Sequence, residues 1–248
     1  MSEKTSCSLA DKISKWMEEQ VRTAGAKGIV LGISGGLDSS VVAALSKMAM
    51  GDNALGLIMP CHSSPEAIEH ALIVANSFGL NTETVDLDSA YDELLRVLPT
   101  TGAMARANIM PRLRMISLYY IANDRNYLVA GTGNKTEYMV GYFTKWGDGA
   151  VDIMPIADLY KRQVRELAKH LGIPNVIIEK PPTADLWPGQ TDEGEMGITY
   201  DLLDAVLTGL EKDDVSAFDS GVVAKIKVRI AVTEHKRQPS PMFIVDNL

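Results

Sequence analysis

Cysteine is nearly absent from this 248-residue sequence, which holds only Cys7 and Cys61. So few thiols exclude a disulfide-stapled secreted scaffold and a metal cluster built on thiolates. No apolar run approaches the roughly 20 residues that a bilayer-spanning helix requires. The opening MSEKTSCSLADKISKW contains no continuous apolar stretch of signal-peptide length. Export is therefore not expected, and the cytoplasm is the expected compartment. Basic charge is also in short supply, with 24 Lys and Arg against 32 Asp and Glu for a net charge of −8. General nucleic-acid binding ordinarily comes with a basic excess, so none is expected here. A local pocket of converging Lys and Arg is still compatible with that balance. Repeats, low-complexity tracts and linker-like stretches are missing too, so residues 1–248 are expected to form one domain. What remains is an ordinary soluble composition, 46% hydrophobic and 23% charged, long enough to bury a sizeable core.

Periodicity then suggests the elements. Leu9, Ile13, Trp16, Met17 and Val21 fall at helical spacing, which predicts an amphipathic helix over 9–23. Residues 28–33 form a short apolar run that reads as a buried strand, followed by SGGLDSS (34–40) and a helical VVAAL (41–45). Strand, glycine loop and helix together make the first unit of a parallel α/β sheet. Residues 54–59 predict a second strand, and Ser64 with Pro65 marks a helix start that Gly79 would close. Further strands are expected at 82–87, 127–130 and 176–178, with helices at 91–98, 106–122, 158–171, 199–211 and 219–235. Residues 181–197, rich in Pro, Gly, Asp and Glu, predict a long mobile loop, a length that usually serves a function such as a lid. The expected architecture is a doubly wound, mainly parallel α/β sheet of Rossmann-like type with extra helices. Ligands in such folds sit beyond the carboxyl ends of the strands, where 34–36 and 131–134 supply glycine loops.

The loop at 34–39 carries the most chemistry. Paired Gly35 and Gly36 let backbone N–H groups approach an anion, and the following helix adds unpaired donors at its positive end. Ser34 and Ser39 offer hydroxyls, and Asp38 can hold Mg2+ that shares phosphate charge. The bland alternative is a strand-to-helix turn that merely needs glycine. No Walker motif G-x-x-x-x-G-K-[ST] occurs, and GTGN (131–134) fails the dinucleotide fingerprint because Thr136 stands where a third glycine belongs.

SGGLDS resembles the SGG-x-DS loop of the ATP pyrophosphatases, also called the PP-loop or adenine nucleotide alpha hydrolase-like superfamily. Within that superfamily the chain resembles the ammonia-dependent NAD synthetases. The likeness is carried by GTGNKTE (131–137), GYFTKWGD (141–148), DIMPIADLYK (152–161), PPTADL (181–186) with QTDE (190–193), TEHKR (233–237) and NIMPRLRM (108–115). It spans nearly the whole chain with the motifs in family order. The sequence departs from the commonest bacterial pattern at Cys61, His62, Ser63 and Ser64, so no adenine contact is assigned there.

The resemblance implies ATP-dependent amidation of deamido-NAD by ammonia, giving NAD, AMP and pyrophosphate through an adenylated carboxyl. It implies catalytic roles for Asp38 and Lys161, and Mg2+ held by Asp38 and Glu137. ATP contacts are implied for Ser34, Gly35, Gly36, Leu37, Asp38, Ser39, Ser40, Thr132, Lys161 and Thr183. Contacts with deamido-NAD are implied for Arg112, Lys145, Asp152, His235 and Lys236. It further implies a homodimer with that substrate site at the interface, and the 106–122 helix and the first helix are candidate contact surfaces. The chain is too short to hold a glutaminase domain as well, so free ammonia is the expected donor. Taken singly, several of these residues have plainer readings: Glu137 as a first-turn acid, Lys161 as a surface lysine, His235 as a solvated helix-end histidine. His62, His70 and His170 read as structural or exposed, and Cys61 as a small buried residue.

Two rivals stay open. Another PP-loop enzyme, such as a tRNA thiolase, would want a basic surface and reactive cysteines. A non-catalytic adenine nucleotide sensor would need the 34–39 loop but not the set Glu137, Lys145, Asp152 and Lys161.

Overall fold

The central strand β1 (Gly28–Gly32) is apolar along its whole length because both of its faces are covered. Ile29 and Leu31 pack into one core cluster and Val30 into another on the opposite face. The computed structural model describes residues 3–187 and 189–245. Around β1 lie β2 (Ala54–Ile58), β3 (Asn81–Thr84) and β4 (Tyr127–Val129), in the order β3-β2-β1-β4. All pairings are parallel, with Ile29 opposite both Ala54 and Leu128. The chain winds outward from β1 to β3, then crosses back to β4, so the switch point falls between β1 and β4. Beyond β4, a parallel bridge from Ala130 to Ile153 extends the sheet by one extended segment.

One face of the sheet carries α1 (Glu3–Thr23), α2 (Leu37–Met50), α3 (Pro65–Phe78) and α4 (Lys161–Leu171), whose buried side chains include Met17, Leu45, Val74 and Leu167. The other carries α5 (Asp88–Val97), α6 (Ala103–Ala107) and α7 (Ile109–Arg125), with Tyr91, Met110 and Ala122 in its core. A satellite core joins α8 (Lys135–Val140), α9 (Tyr200–Glu211) and α10 (Ser220–Val232) through Val140, Leu203, Leu207 and Ile226. Ser64 caps α3, accepting from the Ala67 N–H, and Gly79 closes it in the left-handed region.

Several expectations shift. The strand expected at 176–178 is a short helix, α11 (Asn175–Ile178), that packs on α4. Pro174 stands before its first turn, and Ile177 and Ile178 turn into the core; so short an apolar run reads alike as strand or buried turn. The helix expected from 158 begins at Lys161, because Tyr160 occupies the cap with Gln163 bonding back to its N–H. The single helix expected over 106–122 divides at Asn108 into α6 and α7. Strand β3 ends at Thr84, although the Val85 and Leu87 N–H groups still bond to Ile58 and Pro60. The C-terminal helix expected over 219–235 breaks at Thr233, where a short α12 (Glu234–Arg237) follows. The segment 181–197 is not structureless, since it contains α13 (Asp192–Met196) capped by Thr191. No described helix is long and apolar enough to cross a membrane.

Candidate active site

Three crossovers end beside one another at the switch point. Asp38 stands in the first turn of α2 after β1, Glu137 in the first turn of α8 after β4, and Lys161 opens α4. The Lys161 ammonium is 3% exposed and reaches both Asp38 Oδ2 and Glu137 Oε1, the latter at 3.1 Å. Asn134 locks the two acidic helices together. Its amide donates to Asp38 Oδ1 at 3.1 Å, and its carbonyl oxygen accepts from the Glu137 N–H at 3.0 Å in a capping box. From behind, the Lys161 N–H bonds to Thr136 Oγ1 at 3.0 Å, and Thr136 in turn donates to Asp204.

Burial dominates the electrostatics. It pushes the Glu137 carboxyl up to about 7, Asp38 adding to the push and Lys161 opposing it. Burial alone would lower Lys161, but Asp38 and Glu137 more than offset it and hold the ammonium firmly protonated. The Tyr200 hydroxyl lies 3.0 Å from both Glu137 Oε1 and Asp192 Oδ2, and its ring face is 4.7 Å from Lys161 Nζ. One hydroxyl proton serves two carboxylates there, which is satisfied best when one of them is protonated. Burial raises Asp192 as well.

The loop ahead of α2 is built for an anion. Gly35 has φ +72, and an added Cβ would lie 2.6 Å from the Ala67 carbonyl oxygen and 2.7 Å from His70 Cβ. Only glycine fits that backbone. Gly36 sits at the cap of α2 with no side-chain hydrogen bond, which leaves donors of the first turn open to the cavity. Ser34 and Ser39 hydroxyls lie 3.0 Å apart and face the same cavity.

That cavity, of about 840 Å3, receives Ser34, Gly36, Leu37, Asp38 and Ser39 from the first loop. Thr132 and Glu137 enter it from the second, and Lys145, Lys161, Thr183 and Lys236 from further along the chain. Gly35, Ser40, Arg112, Asp152 and His235 lie outside its lining. Gly35 and Ser40 support the loop from beneath; the buried Ser40 hydroxyl donates to the Gly36 carbonyl at 2.7 Å. Arg112 is exposed on α7 and bonds to the carbonyls of Asn108 and Lys145. Asp152 accepts from the Val129 N–H at 2.8 Å and the Tyr119 hydroxyl at 3.0 Å, holding its strand segment beside β4. The His235 carbonyl accepts from Lys145 Nζ, while Lys236 Nζ bonds to the carbonyls of Gly141 and Phe143 at 2.8 and 2.7 Å.

Motif position favours Arg112 over Arg114 as the arginine that faces the substrate, and the sequence by itself assigns no role to Asp148, Asp192 or Glu195. Arg114, not Arg112, is the arginine of NIMPRLRM that enters this cavity, where its half-buried guanidinium donates to Met59 O and Ser63 Oγ at 3.1 Å each. Asp148 lines the same cavity and accepts from the Thr144 N–H at 2.9 Å. Asp192 and Glu195 converge on the Tyr142 hydroxyl at 3.2 and 2.8 Å, tying the 181–197 segment to the site. A carboxylate amid the quoted QTDE stretch was the available signal for Asp192.

Among the described residues no group of three or more His, Cys, Asp or Glu could hold a metal ion by itself. Asp38 and Glu137, close enough to share one ammonium, are two hard oxygen donors beside a phosphate-sized cradle. That set fits a cation such as Mg2+, which is bound through one or two carboxylates plus substrate phosphates and water.

The family model for NAD synthase matches residues 9–240. The chain belongs to the NAD synthase family. Among its relatives, the NH(3)-dependent NAD(+) synthetase of Finegoldia magna is 47% identical over 96% of each chain. The NMN synthetase of Francisella tularensis superposes with a TM-score of 0.89 at 34% identity, covering the whole of both chains. The NH3-dependent NAD synthetase of Campylobacter jejuni, solved with a nitrate ion, gives 0.86 at 29% identity over 98% of this chain and all of that one. The doubly wound sheet of this NAD synthase is therefore the family fold.

Proposed function

We propose that this NAD synthase adenylates the carboxylate of deamido-NAD with ATP and then transfers ammonia to it, releasing pyrophosphate and AMP. The observation that carries the reading is the buried Lys161 ammonium shared by Asp38 and Glu137 at the mouth of a glycine loop. A sensor would need the loop but no such charge relay between two helix starts.

A carboxylate is a poor acceptor for ammonia because oxide would have to leave; adenylation replaces it with AMP. The protein's task is alignment and charge neutralisation. Ser34, Gly36, Ser39 and the open first turn of α2 would bind the departing pyrophosphate, and Thr183 and Thr132 flank it. Lys161, anchored by its two acids, orients toward the phosphates without rotamer freedom to lose. Asp38 and Glu137 would hold Mg2+, which supplies further neutralisation of phosphate charge. Lys145 and Lys236 enter the same cavity and would face the anionic dinucleotide.

Arg112, Ile116 and Tyr120 share one face of α7 at a spacing of four residues. Ile116 and Tyr120 are 58% and 73% exposed, whereas Leu118 and Tyr119 pack against the core. Covering that apolar face with a second copy would turn Arg112 toward the partner's substrate. This supports a homodimer with deamido-NAD bound across it. The 181–197 segment would act as a lid that excludes water from the adenylate.

NAD formation from deamido-NAD, ATP, Mg2+ and ammonium tests the reading, with glutamine and nicotinate mononucleotide in parallel tubes. Product with deamido-NAD and ammonium is expected. The likeness to an NMN synthetase favours one second reading, in which the mononucleotide is the better acceptor. Absence of product with either acceptor overturns both.

A further inference from the structure

Lys161 is a committed cation, because its ammonium is shared between Asp38 and Glu137. The pyrophosphate end of ATP therefore meets a lysine already engaged by two acids before any metal arrives. A second lysine in the cavity is not committed in this way. Lys180, just ahead of Thr183, lines the cavity and has no carboxylate at ion-pair distance among the described residues. Its ammonium lies instead 3.2 Å from His70 Nδ1. An ammonium can only donate, so that nitrogen is the unprotonated one, and His70 carries its hydrogen on Nε2, which faces Glu66 at 3.8 Å. His70 is buried on α3, and α3 is the helix on which the anion loop rests: the Ala67 carbonyl and His70 Cβ bound the space at Gly35. The same side chain that fits against Gly35 thus holds a free positive charge beside the loop.

We propose that Lys180 is a pyrophosphate-binding residue, held beneath the Ser34–Ser39 loop by neutral His70 and released onto the phosphates when ATP enters. A neutral acceptor suits this duty, since a carboxylate partner would cancel the charge and compete with phosphate. The inference rests on the proposed adenylation, because it assigns a residue to that reaction's leaving group.

The test is calorimetric titration of the full chain with Mg-pyrophosphate and, separately, AMP, alongside the NAD assay. Lys180→Met should weaken pyrophosphate binding about tenfold, the loss of one hydrogen bond to a charged group, and leave AMP binding unchanged. Lys180→Arg should recover most of the lost affinity, and His70→Phe should weaken pyrophosphate while keeping the lysine. Unchanged pyrophosphate affinity in Lys180→Met overturns the proposal, as does an equal loss for AMP and pyrophosphate. Wild-type protein that binds pyrophosphate through Lys180 but forms no NAD would overturn the adenylation reading alone.

Discussion

Lys161 holds two acids apart from self-repulsion, so its removal tests the centre more sharply than removal of either acid. Lys161→Met leaves two desolvated carboxylates facing each other, which should cost about 3–5 kcal/mol. For a chain of this length that lowers the melting temperature by roughly 6–20 °C in calorimetry. Asp38→Ala should instead keep most of the stability, through the remaining Glu137 contact, and lower turnover by about 10²–10³ or more. Glu137, raised by burial to about 7, gives the pH sign. Its folded value exceeds the ordinary 4.5, so protonation favours the folded, metal-free protein at low pH, and that contribution fades as pH rises through about 7. Metal binding needs the ionised form. Mg2+ affinity, measured by titration, should therefore fall as pH drops from 8 to 6, and a flat profile would contradict the assignment. At Gly35, alanine must take φ +72 against a backbone carbonyl, so Gly35→Ala should cost more than about 1 kcal/mol and raise the KM for ATP.

Among the elements, α9 and α13 matter most for the proposed lid, because Tyr200 on one grips Asp192 on the other as well as Glu137. Tyr200→Phe strands two buried carboxylate oxygens and should cost about 1–3 kcal/mol. It should also raise cleavage of 181–197 in limited proteolysis, and ATP should restore protection in the wild type more fully than in the variant. The sequence showed the main elements where apolar periodicity met a clear stop, as at Ser64, Pro65 and Gly79 around α3. It showed the loop at Ser34 and the acids Asp38 and Glu137 because their residue types have few other uses together. It did not show that 176–178 is a helical turn, since three apolar residues have no measurable period. Nor could it show that Arg114 enters the cavity where Arg112 does not: two residues apart on a helix they face different ways, and only the packing of α7 decides which way is inward. Asp192 and Tyr200 escaped because a contact between a loop acid and a distant phenol leaves no local pattern.

For the whole molecule, the exposed Ile116 and Tyr120 predict association. Ile116→Glu with Tyr120→Glu should convert a dimer to monomer in sedimentation velocity and lower NAD formation while ATP still binds, and a wild-type monomer would remove the basis for it. The triad also has a history within each chain. Asp38 and Lys161 are separated by 123 positions, and Glu137 comes between them. During synthesis both acids are therefore made before the one cation that neutralises them. A chain halted after α8 would have its sheet and both glycine loops, yet two carboxylates with nothing to face. Docking of α4 is what makes burial of that corner tolerable, so the proposed nucleotide site is completed only when that crossover is in place. Nucleotide binding to this protein would then report that folding has finished.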